Sequence, residues 1–546
     1  MRSMRKPLVA GLMAAAAFGI AQSAGAGGDA REYVVLYERG VSAEQGKAAI
    51  EDAGGRLIRQ NAQVGLATVR SDQADFAEEV AEEEAIVGAA PNKPVGEVPE
   101  GQKPDAAPDI EDPMYEANRV AGAKRPQAAA PGVEPFYGAQ WDMRMIGATP
   151  EGSYKTQQGE GVQVGIIDTG IEASHPDIEP NFDAELSRNF TFDIPTAPNG
   201  EEIDGPCAEE ADGSCADGPD VDDHGHGTHV AGTVGGAING IGMSGVAPKV
   251  DLVNLRAGQD FGYFFLQPVV DALTYAGDNG IDVVNMSFYI DPWLYNCRAN
   301  PADSAAEQAQ QSLIIDATQR ALKYARDRGV TLVAAEGNGH TDLGKPEFDG
   351  SSPDYPPEAG PRDRTVDNSC LSMPTEGKGV IGVTSVGPSK RKAYYSDYGL
   401  EQADVSAPGG DARDPARPAP QNRILAPYPD AAGAANPTAP TIVAEGGNYW
   451  AWQQGTSMAS PHAAGVVALI VGEYGKRDRE HGGLTMDPAK VEKILRRGAV
   501  DTPCPEPREF HYPEDAEGTF DATCEGPKKN NGFYGDGIIS ATGSLR

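Results

Sequence analysis

Three short stretches of this chain place a nucleophile, an acid and a base on segments rich in glycine and alanine. In Gln453-Gln454-Gly455-Thr456-Ser457-Met458-Ala459-Ser460-Pro461-His462-Ala463-Ala464-Gly465-Val466, a serine stands among small residues ahead of an apolar helical run. Small neighbours let a substrate backbone approach, and a helix N-terminus favours an anion developing beside the hydroxyl. A serine at a helix start is also an ordinary cap, so this stretch alone decides nothing. Val162–Ile171 is an apolar run that reads as a buried parallel strand ending on Asp168-Thr169-Gly170. Asp168 thereby falls at a strand's carboxyl end, where open α/β sheets place their ligand crevices. Asp223-His224-Gly225-His226-Gly227-Thr228-His229 opens a helix with glycine-spaced histidines.

Each residue type answers a chemical need. A serine hydroxyl is weakly nucleophilic at neutral pH and requires an adjacent base. Imidazole titrates near neutrality, so it can take that proton and return it to a leaving amine. A carboxylate on the other ring nitrogen fixes the tautomer and stabilises the imidazolium. A second chemistry competes, because His224, His226 and His229 have an HxHxxH spacing that suits zinc and a metal-activated water. Against it, Thr228 stands where the HxHxDH pattern of metallo-β-lactamase-like enzymes has aspartate, and zinc leaves Asp168 and Ser457 unexplained.

Taken together, Asp168-Thr169-Gly170, His226-Gly227-Thr228-His229-Val230-Ala231-Gly232 and Gly455-Thr456-Ser457-Met458-Ala459 resemble the three signatures of the subtilisin-like serine proteases, in the order Asp, His, Ser. The resemblance runs from about Gln140 to near the C-terminus. It implies a secreted endopeptidase with Ser457 as nucleophile, His226 as base and Asp168 as its partner, His224 and His229 being structural or surface residues. Ala334-Ala335-Glu336-Gly337-Asn338 is similar to the family's oxyanion motif, which gives Asn338 the role of side-chain donor and sets Gly337 beside the substrate. Asp260-Phe261-Gly262-Tyr263 lies where the family has an extended edge that pairs with peptide backbone. Val284-Asn285-Met286-Ser287 matches the strand leading to the primary specificity pocket, with Phe288, Tyr289 and Ile290 in place of the usual glycines. Calcium is the implied cofactor, held by the Asp177 and Asn239 side chains and the carbonyls of Ala237, Ile241 and Met243. A protein that kept this fold only for binding is the rival from another class.

The elements that must position these residues are legible as alternation. Strand-like runs at 162–167, 250–255, 281–286, 330–335 and 380–386 are separated by helical patterns such as 268–277 and 308–327. That order predicts an α/β fold with a mainly parallel, doubly wound sheet and right-handed crossovers. Before it, Tyr33–Tyr37 reads as a strand, 43–53 as a helix, 55–69 as two strands and 72–84 as a second helix. This small α+β unit resembles the family's inhibitory propeptide in layout. After the sheet, 490–497 reads as a helix, and 409–448, rich in Pro, Ala and Asp, as a surface insertion.

Length and composition frame the rest. The chain has 546 residues, enough for one large domain with appended segments. Its first six residues carry three cationic side chains, an apolar run follows, and Ala24-Gly25-Ala26 is a small-residue cleavage pattern, the layout of a secretory leader. The expected organisation is leader 1–26, inhibitor-like propeptide 27–90, linker and maturation region 91–135 and catalytic domain 136–546. The destination is extracellular or periplasmic. Six cysteines fit an oxidising compartment, with 207 to 215, 504 to 524 and 297 to 370 as the expected pairs. The balance of 81 acidic against 45 basic residues, net −36, opposes binding to nucleic acid or anionic membrane. Polypeptide substrates and the chain's own propeptide are the expected partners, and a monomer the expected state.

Overall fold

In the N-terminal unit, strand β1 (Arg31–Tyr37) is buried at nearly every position because both of its faces are covered. Tyr33, Val35 and Tyr37 point into one core, with α1 (Ala43–Asp52) and α2 (Phe76–Ala81), while Val34 and Leu36 point the other way. That is the two-residue period of a strand divided between two cores. β2 (Arg56–Asn61), β3 (Leu66–Ser71) and β4 (Ile86–Pro91) complete an antiparallel sheet in the order β2-β3-β1-β4. Ser42 and Gln45 close a reciprocal capping box at the start of α1. The helix expected over 72–84 is shorter than its pattern, and the fourth strand follows it.

The computed structural model describes residues 31–92, 134–195, 204, 206–207, 215–355 and 360–546. The expected leader 1–26 and most of the linker 91–135 lie outside these.

The second unit is built on seven parallel strands: β5 (Gln163–Ile167), β6 (Arg188–Asn189), β7 (Asp251–Arg256), β8 (Val283–Met286), β9 (Thr331–Ala335), β10 (Val380–Val386) and β11 (Val405–Pro408). Their order is β11-β10-β9-β8-β5-β7-β6. After β5 the chain builds outward to β6 and β7 on one side, then returns to add β8 to β11 on the other. The residue just past β5 is Asp168, at the reversal of strand order where such sheets open a crevice.

Helix α3 (His226–Gly235) packs with α4 (Thr456–Tyr474) on one face of the sheet. Helix α4 is apolar all round because it lies against β8 to β11 and is covered by α3 and by α5 (Pro488–Gly498), so nearly all of it is buried. The opposite face carries the helices Leu266–Asp278 and Ala305–Asp327, and these two hold the N-terminal unit. Val34, Leu36, Val64 and Leu66 share their apolar core. Arg59 pairs with Asp271 at 2.7 Å, Asn61 Nδ2 donates to Asp271 and Thr274, and Arg320 donates to the Tyr37 carbonyl at 2.7 Å.

The expected surface insertion is a packed structure. Ile424–Tyr428, Ile442–Glu445 and Asn448–Gln453 form a three-stranded antiparallel sheet whose Leu425, Trp450 and Trp452 make a core with Phe136 and Met243. Its proline, alanine and aspartate content conceals short strands such as Ile424–Tyr428, buried along four of five residues. Disulfides join Cys207 to Cys215, Cys297 to Cys370 and Cys504 to Cys524.

Candidate active site

Asp168 leaves the end of β5 fully buried, and its Oδ1 lies 2.7 Å from Nδ1 of His226, the first residue of α3. The Thr169 N–H donates to the same oxygen at 2.8 Å, which fixes the carboxylate. Helix α3 reaches this close because residue 227 is glycine: a Cβ there would meet the Gly170 carbonyl oxygen at 2.1 Å.

The helix start is anchored by Asp222. Asp222 accepts the Gly225 and Thr228 N–H groups, each at 2.8 Å, and the Thr169 hydroxyl at 3.0 Å. One carboxylate therefore satisfies two unpaired donors of the helix end and ties that end to the Asp168 turn. His229 is buried with its Nε2 on the carbonyls of Ile424 and Ala451, and burial lowers its pKa to about 3. Thus His226 and His229 are committed to an aspartate and to main-chain oxygens, and neither is set as a zinc ligand.

Ser457 is the second residue of α4, in the turn whose N–H groups lack intrahelical partners. Its hydroxyl donates to the Ser287 carbonyl at 3.2 Å. Pro461, four residues on, has no N–H for the Ser457 carbonyl, and the Ser287 hydroxyl donates to that carbonyl at 3.1 Å instead. Ser287 also meets Ser460 Oγ at 2.9 Å and accepts from Asn285 at 2.9 Å, so β8 and the Ser457 turn are stitched together.

Asn338 comes in from the loop after β9. The Thr456 N–H and hydroxyl donate to its Oδ1 at 2.9 and 3.0 Å, which turns Nδ2 toward the serine. A Cβ built on Gly455 would sit 3.5 Å from Ser457 N and 3.6 Å from both Asn338 Nδ2 and Ser457 Cβ. Ser457 N, Ser457 Cβ and Asn338 Nδ2 therefore converge on one small region. Gly337 makes the approach possible: its φ is 118°, and a Cβ would lie 2.3 Å from Asp397 Oδ2.

A family profile described as the subtilase family matches residues 159–537, which include all four of these side chains. The chain is a member of the subtilase family. It is 29% identical over 317 residues to subtilisin DY of Bacillus licheniformis, covering 58% of this chain and 79% of that one. It is 26% identical over 450 residues to a thermophilic serine proteinase of Bacillus sp. strain AK1, covering 81% and 78%. Among solved structures it is similar in fold to the epidermin leader peptide processing serine protease of Staphylococcus aureus, with TM-score 0.61, 20% identity and coverage of 94% and 98%. The subtilase is accordingly a subtilisin-like serine peptidase, and polypeptides are its substrates.

Beside the subtilase's serine a cleft is lined by Ser287, Phe288, Tyr289, Glu336, Gly337 and Asn338. Phe288 stacks on Phe264 with ring centres 4.1 Å apart, and the Tyr289 hydroxyl donates to Asp354 at 2.5 Å. These two aromatics are thus held as walls. Glu336 is 2% exposed, its Oε2 has no hydrogen-bond partner among the described residues, and burial with Glu376 nearby holds its carboxyl well above the usual range. The native state keeps this proton after the unfolded chain has released it, so stability falls as pH climbs from the unfolded value toward the folded one. Glu336→Gln removes that slope. In a Ser457→Ala background, thermal melts should favour the Gln variant increasingly from pH 5 to pH 9, and a gap that stays constant with pH would contradict the assignment.

Two other sequence expectations read differently in the subtilase. The segment Asp260–Tyr263 is a tight turn, not an extended edge: Gly262 has φ 94° and donates to the Gln259 carbonyl at 2.9 Å, and the Phe261 N–H is taken by Asp204. Phe261 remains 60% exposed and stacks on Tyr263, so side-chain rings are presented there. The expected calcium residues Asp177, Asn239 and Met243 do come together, yet the groups facing the Asp177 carboxylate are the N–H donors of Trp450, Met243 and Asn239. That donor set does not fit a hard cation, which takes oxygen ligands. Elsewhere among the described residues, Asp193, Asp217 and Asp260 could share an ion, but the buried Arg256 guanidinium already lies among them, 2.6 Å from Asp217 and paired with Asp260.

Proposed function

We propose that this subtilase is a secreted serine endopeptidase that cuts polypeptides through an acyl-enzyme, with Asp168, His226 and Ser457 as its triad and Asn338 as oxyanion donor. The observation that carries this reading is the 2.7 Å contact of Asp168 Oδ1 with His226 Nδ1, at the carboxyl edge of the parallel sheet from which Asn338, and Ser287 with its bond to Ser457, also emerge. In the reaction, Ser457 Oγ attacks the scissile carbonyl carbon as its proton passes to His226 Nε2. The carbonyl oxygen becomes an oxyanion, which receives hydrogen bonds from Ser457 N–H and Asn338 Nδ2. Collapse breaks the C–N bond, and His226 gives its proton to the departing amine. Water, deprotonated by His226, then releases the acyl group, and Ser457 recovers its proton. Throughout, Asp168 keeps the Nδ1–H tautomer in place and offsets the imidazolium charge without accepting the proton.

In this reading residues 1–26 direct export and 27–90 are an intramolecular chaperone and inhibitor docked on the helices Leu266–Asp278 and Ala305–Asp327. The mature enzyme begins within 91–135. The buried Asp271 of the docking helix supports such a role, since Arg59 of the N-terminal unit supplies its charged partner and Asn61, beside Gln267 of the same helix, an amide partner. Intact mass of the full chain tests it. After incubation, the parent loses the mass of the N-terminal segment while Ser457→Ala keeps it; loss of that mass at the same rate in both chains would contradict self-processing.

A further inference from the structure

The loop 237–243 leaves the end of α3, the helix that begins at His226, and protein groups close it from two sides. On one side stands Glu134, near the carboxyl end of the linker and only 5% exposed. Both of its carboxylate oxygens accept the Gly240 N–H, at 3.1 and 3.0 Å, and the Asn239 and Ile241 amides face it as well. The loop thus presents a nest of donors to an anion where a cation cage would present carbonyls. On the other side, Asp177 Oδ2 accepts the Trp450 indole N–H at 2.8 Å and the Met243 N–H at 3.0 Å. Asn239 turns its nitrogen, not its oxygen, inward: Nδ2 donates to the Pro176 carbonyl at 2.7 Å and lies 3.4 Å from Asp177 Oδ1, while Oδ1 accepts the Ile241 N–H.

Space agrees with the donor pattern. A Cβ on Gly242 would meet Asp177 Oδ2 at 2.3 Å and the Trp450 ring at 2.4 Å, so indole and loop are in direct contact. Phe136, two residues past Glu134, donates its N–H to the Gly242 carbonyl at 2.7 Å and packs edge-on against Trp450. The Tyr449 carbonyl meets His175 Nε2 at 3.0 Å, so the strand 448–453 is bonded to both ends of the Asp177 turn. Calcium takes six to eight oxygens; here two carboxylates spend their lone pairs on N–H groups.

We propose that Glu134 and the Trp450 strand form a metal-free latch that holds this loop, and through it the His226 helix, in the place of a bound cation. Because Glu134 lies at the carboxyl end of the linker 91–135, cleavage anywhere in 91–133 leaves the latch on the mature chain. The proposal rests on the protease reading only for the role of His226.

The test uses the full-length Ser457→Ala chain, so its outcome is separate from that of catalysis. Unfolding rate in denaturant is measured for the parent, Glu134→Gln and Glu134→Ala, and terbium luminescence excited through tryptophan is measured for the parent, Trp450→Phe and Asp177→Asn. Loss of a charged hydrogen-bond acceptor from a buried nest should speed unfolding on the order of tenfold in Glu134→Ala. Glu134→Gln, which keeps one acceptor oxygen, should fall between. No calcium-displaceable emission dependent on Trp450 and Asp177 should appear. Such emission, lost in both Trp450→Phe and Asp177→Asn, would overturn the proposal, as would Glu134→Ala unfolding at the parent's rate.

Discussion

Ser457→Ala should hydrolyse a peptide substrate on the order of 10⁶-fold more slowly in kcat, with KM changed little, the magnitude known for subtilisin itself. The reason is that the hydroxyl and imidazole act as a unit, so neither retains its catalytic effect without the other. His226→Ala should therefore cost as much as Ser457→Ala, and the double variant no more than either alone. Asp168→Asn should fall by about 10⁴, because an amide can hold the ring in the wrong tautomer. The Asp168 contact is made on Nδ1 by a carboxylate that is itself fully buried. Steady-state rates on one chromogenic peptide read all four values. Additive losses for Ser457 and His226 would contradict a shared proton transfer.

Asn338→Ala should lower kcat by about 10²–10³-fold, or roughly 2.7–4 kcal/mol, again a subtilisin-derived magnitude, while leaving KM near the parent's. The amide touches the substrate oxygen strongly only once negative charge develops there, so its loss belongs to the transition state. Asn338→Asp should be at least as damaging, since it presents a carboxylate to the oxyanion. Thr456→Val is informative in another way. It removes one of the two donors that fix Asn338 Oδ1, leaving the Thr456 N–H bond at 2.9 Å. A loss well below that of Asn338→Ala is expected, with kcat rather than KM affected. A large KM increase for Asn338→Ala would instead assign it to ground-state binding.

Much of this site was legible because its chemistry depends on local sequence. Asp168, His226 and Ser457 each stand in a short glycine-containing motif whose backbone approach tolerates little else, and the strand runs around them are apolar enough to show. The residues that hold the site in register were not legible. Asp222 looks like one more acid in a charged loop, and only the folded chain brings it to Thr169 and Thr228. Pro461 looks like a defect inside a helix until Ser287 is seen to occupy the carbonyl it releases. Trp450 stands just past the stretch 409–448 that reads as a surface insertion, and its partner Asp177 is 273 residues away. The motif around Asp177 and the loop 237–243 suggested calcium because spacing records which residues meet, not whether their oxygens or their N–H groups face inward. In the same way Asp260–Tyr263 matched an edge segment by position, while Gly262 and Asp204 determine that it turns.

The most direct measurement is intact mass after treatment with a fluorophosphonate, for the parent, Ser457→Ala and His226→Ala. The account predicts one added label on the parent, located by peptide mapping to Ser457, none on Ser457→Ala, and labelling slowed by several orders of magnitude on His226→Ala. A parent that hydrolyses protein yet takes no label, or a Ser457→Ala chain that labels as fast as the parent, would contradict it.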